Sequence, residues 1–358
     1  MMRVGVDLSI LRHPPSGTSR YATEVLAALP AALGPGWEVV GFGGLPRARW
    51  RNAIRRPVNL AGDVTWWTIG SSVRAAAGRI DGWYSPSNIL PLGLPHPKVV
   101  TIHDANLFDP HGGYDRGYVR VAAPLFRQSA HAAQAVLTDS EFARSAIADR
   151  LGLDPCTIVV AYPGIDHTSV AVPLDPDPGL PGYYALFVGQ TEPHKNVRLL
   201  VEAWGRGVPE DLHLVVAGGA GRDNPAIRRA VAGSPAADRI HLPGAVSEGR
   251  LAQLYRDAAC FLFPSRMEGF GLPPLEAMRR GVPTAVAKAT CLPEVTAGAA
   301  LLFDPDDPDA VVAAVVDLLS PATADRLRRE GPAVAARYRW ALTAGIVAHA
   351  IRGTVRCA

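Results

Sequence analysis

No apolar run in this chain approaches the roughly 20 residues that a helix needs to cross a membrane. The stretch from Met1 to Asp7 is too short and too lightly charged for a secretory signal. Cysteine is scarce, and Cys156, Cys260, Cys291 and Cys357 are scattered without C-x-x-C spacing. That pattern argues against a disulfide framework or a cysteine zinc site and fits inert thiols in a reducing compartment, so a soluble, cytoplasmic protein is expected. Neither sign of charge dominates: 36 basic side chains face 33 acidic ones, for a net charge of +3. A nucleic-acid binder usually gathers a basic excess on one face, and the nearest cluster here is only Arg47, Arg49, Arg51, Arg55 and Arg56. It reads as a solvated loop or helix face rather than a patch for an anionic acceptor or a membrane. A G-x-G-x-x-G fingerprint is missing too, since neither Gly41–Gly44 nor Gly218–Gly221 supplies it, which argues against a nicotinamide dehydrogenase. No metal is expected. His96 and His103 lack acidic companions at ligand spacing. Asp175 and Asp177 fall in a proline-rich stretch, and Asp304–Asp309 opens a helix, where acidic side chains complement the dipole.

What the chain does have is enough apolar surface for two cores. Its 358 residues are 48% hydrophobic and 19% charged, with a mean hydropathy close to zero. Short apolar runs alternate with helical patterns throughout. The expected strands of the first half are Met2–Leu8, Trp37–Gly43, Gly82–Tyr84, Lys98–His103, Ala135–Thr138 and Thr157–Ala161. Those of the second half are Tyr184–Val188, Leu212–Ala217, Arg239–Leu242, Cys260–Phe263, Val282–Ala287 and Leu301–Phe303. The clearest helix carries Tyr21, Val25, Leu26, Leu29 and Leu33 on one stripe and stops before Gly34 and Pro35. Strand and helix in alternation predict parallel sheets covered on both faces, an α/β fold. The segment VPLDPDPGLPG, within residues 171–182, reads as the linker between domain 1–170 and domain 183–336. The helical stretch 337–358 completes the first domain. In such a pair, ligands are expected where strand C-termini face the interdomain cleft.

The most informative segment is FPSRMEGFGLPPLEA, from Phe263 to Ala277. It follows a buried strand and opens a helix, and it places Gly269-Phe270-Gly271 between two carboxylates, Glu268 and Glu276. Glycine lets backbone N–H groups approach an anion, and the helix start adds favourable partial charge. Pro273 and Pro274 have no N–H, which leaves Gly269, Phe270, Gly271 and Leu272 as donors. Each feature alone is a common connector or dipole partner. Together they suit a diphosphate flanked by groups that accept hydrogen bonds from sugar hydroxyls.

This segment resembles the E-x7-E signature of retaining GT-B glycosyltransferases, specifically glycosyltransferase family four. Further ordered segments carry the resemblance: LFVGQTEPHKNVRLLVEAW from Leu186, LVVAGG from Leu214 and LPGAVSEGRLAQLYRD from Leu242. Gly281-Val282-Pro283, Leu292-Pro293-Glu294 and Phe303-Asp304-Pro305 follow in the family's order. In the first half the match is looser, through Ser16–Tyr21 as a glycine loop, VTIHD ending in Asp104, TDSEFAR from Thr138, YPGID from Tyr162, and Trp340.

The resemblance implies two Rossmann-like domains, the second binding a nucleotide-sugar donor. It implies that Glu276 binds the ribose, Glu268 faces the transferred hexose, and the backbone after Glu268 holds the diphosphate. Lys195 would pair with phosphate charge and His103 would contact the donor sugar; His103, Lys195 and Glu268 thus form the expected catalytic set. Gly17, Gly189, Gln190 and Val246 complete the donor side, and Thr18 and Asp104 stand on the acceptor side. Two departures from the family pattern concern charge: Gln190 and His194 stand where many members carry arginine, which leaves phosphate neutralisation to Lys195, helped by Arg266 or His194. The implied reaction moves a hexosyl group to an acceptor hydroxyl with retention, without cofactor, and with domain closure excluding water. GDP-mannose is the first donor expected and a UDP-sugar the second. A sugar-nucleotide epimerase on the same fold and a non-catalytic nucleotide-sugar-binding relative are the alternatives.

Overall fold

The computed structural model describes residues 1–13, 16–45, 55–94, 97–109, 116–169 and 179–356. Arg47, Arg49, Arg51, His96, linker residues 171–178 with Asp175 and Asp177, and Cys357 lie outside the described residues.

The apolar runs become parallel strands; the inner ones, such as Gly82–Ser85, Cys260–Phe263 and Thr284–Ala287, are buried throughout, while the outer strands are partly exposed. Two six-stranded sheets result. The chain divides into two compact units, one holding Met1–Asp109, Tyr114–Gly164 and Arg339–Ala358, the other built on Ile165–Tyr338.

The first unit begins with β1 (Met2–Asp7), α1 (Gly17–Leu33) and β2 (Trp37–Phe42). Helices α2 (Arg55–Thr65) and α3 (Ser71–Gly78) follow, joined by a π-helical turn over Trp66–Gly70. Then come β3 (Gly82–Ser85), β4 (Lys98–Thr101), α4 (Arg116–Ala132), β5 (Ala135–Thr138), α5 (Glu141–Leu151) and β6 (Ile158–Val160). The sheet order is β2-β1-β3-β4-β5-β6, with every pairing parallel. One face is covered by a cluster that includes Trp66, Trp83, Ile102 and Phe126. The other is covered by the stripe of α1, Tyr21, Val25, Leu29 and Leu33, together with Trp340, Val347 and Ile351.

The second unit runs β7 (Tyr184–Val188), α6 (Val197–Trp204), β8 (His213–Ala217), α7 (Asn224–Ala232), β9 (Ile240–Gly244), α8 (Glu248–Asp257) and β10 (Cys260–Phe263). It continues with α9 (Leu272–Arg279), β11 (Thr284–Ala287), α10 (Leu292–Thr296), β12 (Leu301–Phe303), α11 (Pro308–Leu319) and α12 (Pro321–Ala335). The last helix, α13 (Trp340–Arg356), belongs to the first unit, where it packs on α1. The second sheet reads β9-β8-β7-β10-β11-β12, all parallel.

All twelve expected strands form, most within a residue or two of their expected limits. Two differences have physical causes. The segment expected as a glycine loop after β1 is instead the start of α1: Ser16 Oγ accepts from Ser19 N, and Ser19 Oγ accepts from Ser16 N, a reciprocal cap that begins the helix at Gly17. The strand expected to reach His103 ends at Thr101, because the Asn88 side chain, not a neighbouring strand, accepts from His103 N at 2.9 Å. Gly164 is required by close approach. A Cβ there would lie 2.1 Å from Trp340 N, where the chain passes against the start of α13.

Candidate active site

In the second sheet β7 and β10 are neighbours, and the chain leaves them in opposite directions, to β8 on one side and to β11 on the other. The strand order reverses there, so the loops at the carboxyl ends of β7 and β10 diverge and leave a crevice, the usual ligand position in a doubly wound sheet. Lys195 stands in the loop after β7 and Glu268 in the loop after β10.

Lys195 Nζ donates to Glu268 Oε1 at 2.5 Å and lies 5.1 Å from the centre of the Phe263 ring. The two side chains are only 17% and 12% exposed, so the pair is shielded from most of the solvent. Glu268 is itself held from the next loop, where Thr290 Oγ1 accepts from its N–H at 3.3 Å. The Cys291 thiol is shared between the carbonyls of Glu268 and Phe270, at 3.3 and 3.2 Å. Gly271 then turns the chain into α9 with φ +95°, a left-handed conformation that favours glycine, and a Cβ there would meet Leu292 at 2.8 Å. The glycine loop is therefore fixed on both sides before any ligand arrives.

The cations around this loop are not equivalent. Arg266 is committed to Asp306, the Pro305 carbonyl and the Asn196 side chain. Burial keeps the His194 imidazole below its ordinary pKa despite the carboxylate of Glu268 nearby, so it is neutral near pH 7. Lys195 is thus the charged group of this trio placed on Glu268.

Glu276 lies one turn into α9, with its carboxylate spanned by two donors. Tyr255 Oη donates to Oε2 at 3.0 Å, and His167 Nε2 lies 3.2 Å from Oε1. The Arg280 guanidinium stacks 4.9 Å from the centre of the Tyr255 ring and donates to the Glu276 carbonyl at 3.0 Å. Burial by itself would push the carboxyl pKa up. His167, Tyr255 and Arg280 outweigh it and hold the group below its ordinary value, an ionised acceptor at neutral pH.

In the first unit His103 is buried, and both ring nitrogens are engaged. Nδ1 lies 2.7 Å from Asp139 Oδ2 and Nε2 lies 2.9 Å from the Pro86 carbonyl. Tyr21 packs edge-on against the ring at 4.8 Å. Burial opposes charging of the ring, but the Asp139 carboxylate and the Pro86 carbonyl outweigh it and raise its pKa, as two acceptors facing two N–H donors require. A sugar hydroxyl would have to displace the Pro86 carbonyl to reach Nε2. Asp104 Oδ1 accepts from Asn106 N at 2.8 Å, a local turn bond. Gly17 and Thr18 form the first turn of α1. Gly189 and the exposed Gln190 follow β7, while Val246 follows β9 and immediately precedes Ser247, the cap of α8. Among the described residues no three His, Cys, Asp or Glu side chains form a group that could hold a metal ion. None of the described helices is long and apolar enough to cross a membrane.

Two family models match in tandem: Glycosyltransferase Family 4 over residues 5–169 and Glycosyl transferases group 1 over residues 182–321. The chain belongs to glycosyltransferase family four. Relatives of this chain include the O-antigen chain mannosyltransferase B of Escherichia coli, 33% identical over 66% of this chain and 65% of that protein. An O-antigen chain mannosyltransferase of Salmonella typhimurium is 27% identical over 59% of this chain and 57% of its own. Each match thus spans less than two thirds of the relative. Sucrose-phosphate synthase from Thermosynechococcus elongatus has the same fold, with a TM-score of 0.79 over 100% of both chains at 18% identity. The fold of the chain is GT-B.

Four residues that shape this site carried no role in the sequence reading: His167, Tyr255, Thr290 and Cys291. His167 directly follows YPGID, and Tyr255 is the tyrosine of LAQLYRD. Both motifs were visible, but nothing in their spacing says that they converge on Glu276.

Proposed function

We propose that this glycosyltransferase moves a hexosyl group from a nucleoside-diphosphate sugar to an acceptor hydroxyl with retention of anomeric configuration. The observation that carries the reading is the convergence at the second sheet's reversal point. One cation, Lys195, two carboxylates, Glu268 and Glu276, and a clamped glycine loop opening α9 stand together there. Diphosphate charge is met by Lys195 and by the backbone from Gly269 to Leu272, the ribose by Glu276, and the hexose by Glu268. The bond from the anomeric carbon to the leaving phosphate breaks while the acceptor oxygen bonds that carbon on the same face. The departing phosphate oxygen takes the acceptor's proton. Glu268 and Glu276 act here as binding groups, not as the acid–base pair of a glycosidase. Lys195 stabilises the charge that develops on the leaving nucleotide. No cofactor or metal ion enters the scheme, and the proposed setting is the cytoplasm.

The mannosyltransferase relatives support mannose as the transferred sugar and GDP-mannose as the first donor to test, with UDP-sugars second. Calorimetric titration with GDP, UDP, ADP and dTDP and their sugars, on wild type, Glu276→Ala and Lys195→Ala, tests the donor site. Selective binding of one nucleotide family, lost in both variants, is the expected result. No binding of any nucleotide by the wild type would reject the donor-site assignment. Transfer of labelled sugar from the bound donor, with product configuration read by NMR, then separates a transferase from a protein that only binds nucleotide sugars.

A further inference from the structure

The surroundings of Glu276 go beyond what a ribose-binding carboxylate needs in order to be present. Its two oxygens each receive one protein contact, His167 on Oε1 and Tyr255 on Oε2. Each carboxylate oxygen has two lone-pair positions, so one on each oxygen is left for a ligand. The two protein contacts come from well-separated parts of the unit's sequence: His167 lies in the turn before β7, and Tyr255 lies in α8, the helix that precedes β10. Tyr255 is fixed in turn by the Arg280 guanidinium on its ring. His167 and Glu276 side chains are only 10% and 15% exposed.

We propose that His167 is a positioning residue for the donor ribose: with Tyr255 it fixes the plane of the Glu276 carboxylate, so that the remaining lone pairs point at the ribose hydroxyls. The inference rests on the reading that Glu276 takes the ribose. It makes a sharper claim than that reading, because ribose recognition then depends on a side chain that need not touch the nucleotide. Without His167 the carboxylate loses one of its two fixed contacts. It is free to turn about its last bond, and a buried acid with fewer donors more readily takes up a proton. Either change removes a directed, charged acceptor. The ionised state that His167, Tyr255 and Arg280 maintain agrees with this role.

The test is discrimination between GDP and 2′-deoxy-GDP, with UDP and 2′-deoxy-UDP as the second pair. A hydrogen bond from the 2′-hydroxyl to an ionised carboxylate corresponds to a preference of about 10- to 100-fold for the ribonucleotide. His167→Ala should bring that preference to within about threefold, on the same scale, while binding of inorganic pyrophosphate is unchanged. His167→Gln keeps a donor in reach of Oε1 and should restore most of the preference. Tyr255→Phe should act in the same direction as His167→Ala. Thermal unfolding of each variant confirms that the unit is folded.

Full ribo-over-deoxy preference in folded His167→Ala overturns the proposal and leaves the donor-site reading standing. A wild type that binds nucleotide without preferring ribose, or binds no nucleotide at all, overturns both. Loss of all binding, pyrophosphate included, in a folded His167→Ala would also overturn the positioning role, because that variant is expected to lose ribose discrimination alone.

Discussion

Replacing Lys195 by methionine keeps an unbranched side chain beside Phe263 and deletes only the ammonium. Glu268 is then left as a carboxylate with 12% exposure and no cation at 2.5 Å. Breaking a fully buried pair by removing one partner costs about 3–5 kcal/mol, whereas surface pairs contribute about 0–1. Side chains this little exposed fall between those limits, and about 2 kcal/mol is the figure the geometry supports. For a unit of this size that is a fall of roughly 4–8 °C in Tm. Glu268→Gln removes the other charge and should cost about the same or less. The double variant Lys195→Met/Glu268→Gln removes both charges together and should regain much of the loss, giving a coupling of about 1 kcal/mol or more. Nucleotide-dependent transfer behaves differently. Lys195→Met should lower it by about 10²–10³, and the double variant should not regain it, because the cation facing the diphosphate is still missing. Scanning calorimetry gives the cycle and labelled-sugar transfer gives the activities. Additive Tm changes together with unchanged transfer in Lys195→Met would refute the assignment of Lys195 to both the pair and the phosphate.

Gly164→Ala places a methyl 2.1 Å from Trp340 N and 2.6 Å from the Arg339 carbonyl carbon, both backbone atoms that cannot step aside cheaply. A loss of about 3 kcal/mol or more is expected, and a Tm within 2 °C of wild type would contradict it. Glu276 has a folded pKa below its ordinary value of 4.5. Its contribution to stability is therefore present above about pH 4.5 and is lost as pH falls through the folded value. Glu276→Gln should flatten the acid limb of Tm against pH between 5 and 3. His103 has a folded pKa above 6.5, so its contribution is complete below that pH and disappears as pH rises through the folded value. Asp139→Asn, which removes the carboxylate beside Nδ1, should lower Tm more at pH 6 than at pH 9; an equal loss at both would mean that the ring is neutral throughout.

Much of the fold is legible because its inner strands are buried on both faces. Continuous apolar runs such as Cys260–Phe263 and Tyr184–Val188 announce themselves without knowledge of their neighbours. The order of those strands does not, since pairing β7 with β10 joins residues more than 70 positions apart. The reversal point that brings Lys195 to Glu268 therefore emerges only from the structure. The glycine loop and both carboxylates are visible as a motif because they share one short segment. The groups that hold them, Thr290, Cys291, His167 and Tyr255, act across long sequence separations through single hydrogen bonds, which leave no periodicity. Local bonding also decides where elements start. Ser16 and Ser19 cap α1 through side chains that read equally well as a loop.

The central claim is that the loop between Glu268 and Glu276 holds the nucleoside diphosphate of the donor. A crystal structure of the protein with GDP bound, or with UDP if UDP proves the tighter ligand, tests it most directly. The diphosphate is expected against the backbone of Gly269–Leu272 with Lys195 turned toward it, and the ribose hydroxyls on Glu276 with His167 and Tyr255 still in place. A nucleotide bound elsewhere, with the Lys195–Glu268 pair intact and Glu276 untouched, would contradict it.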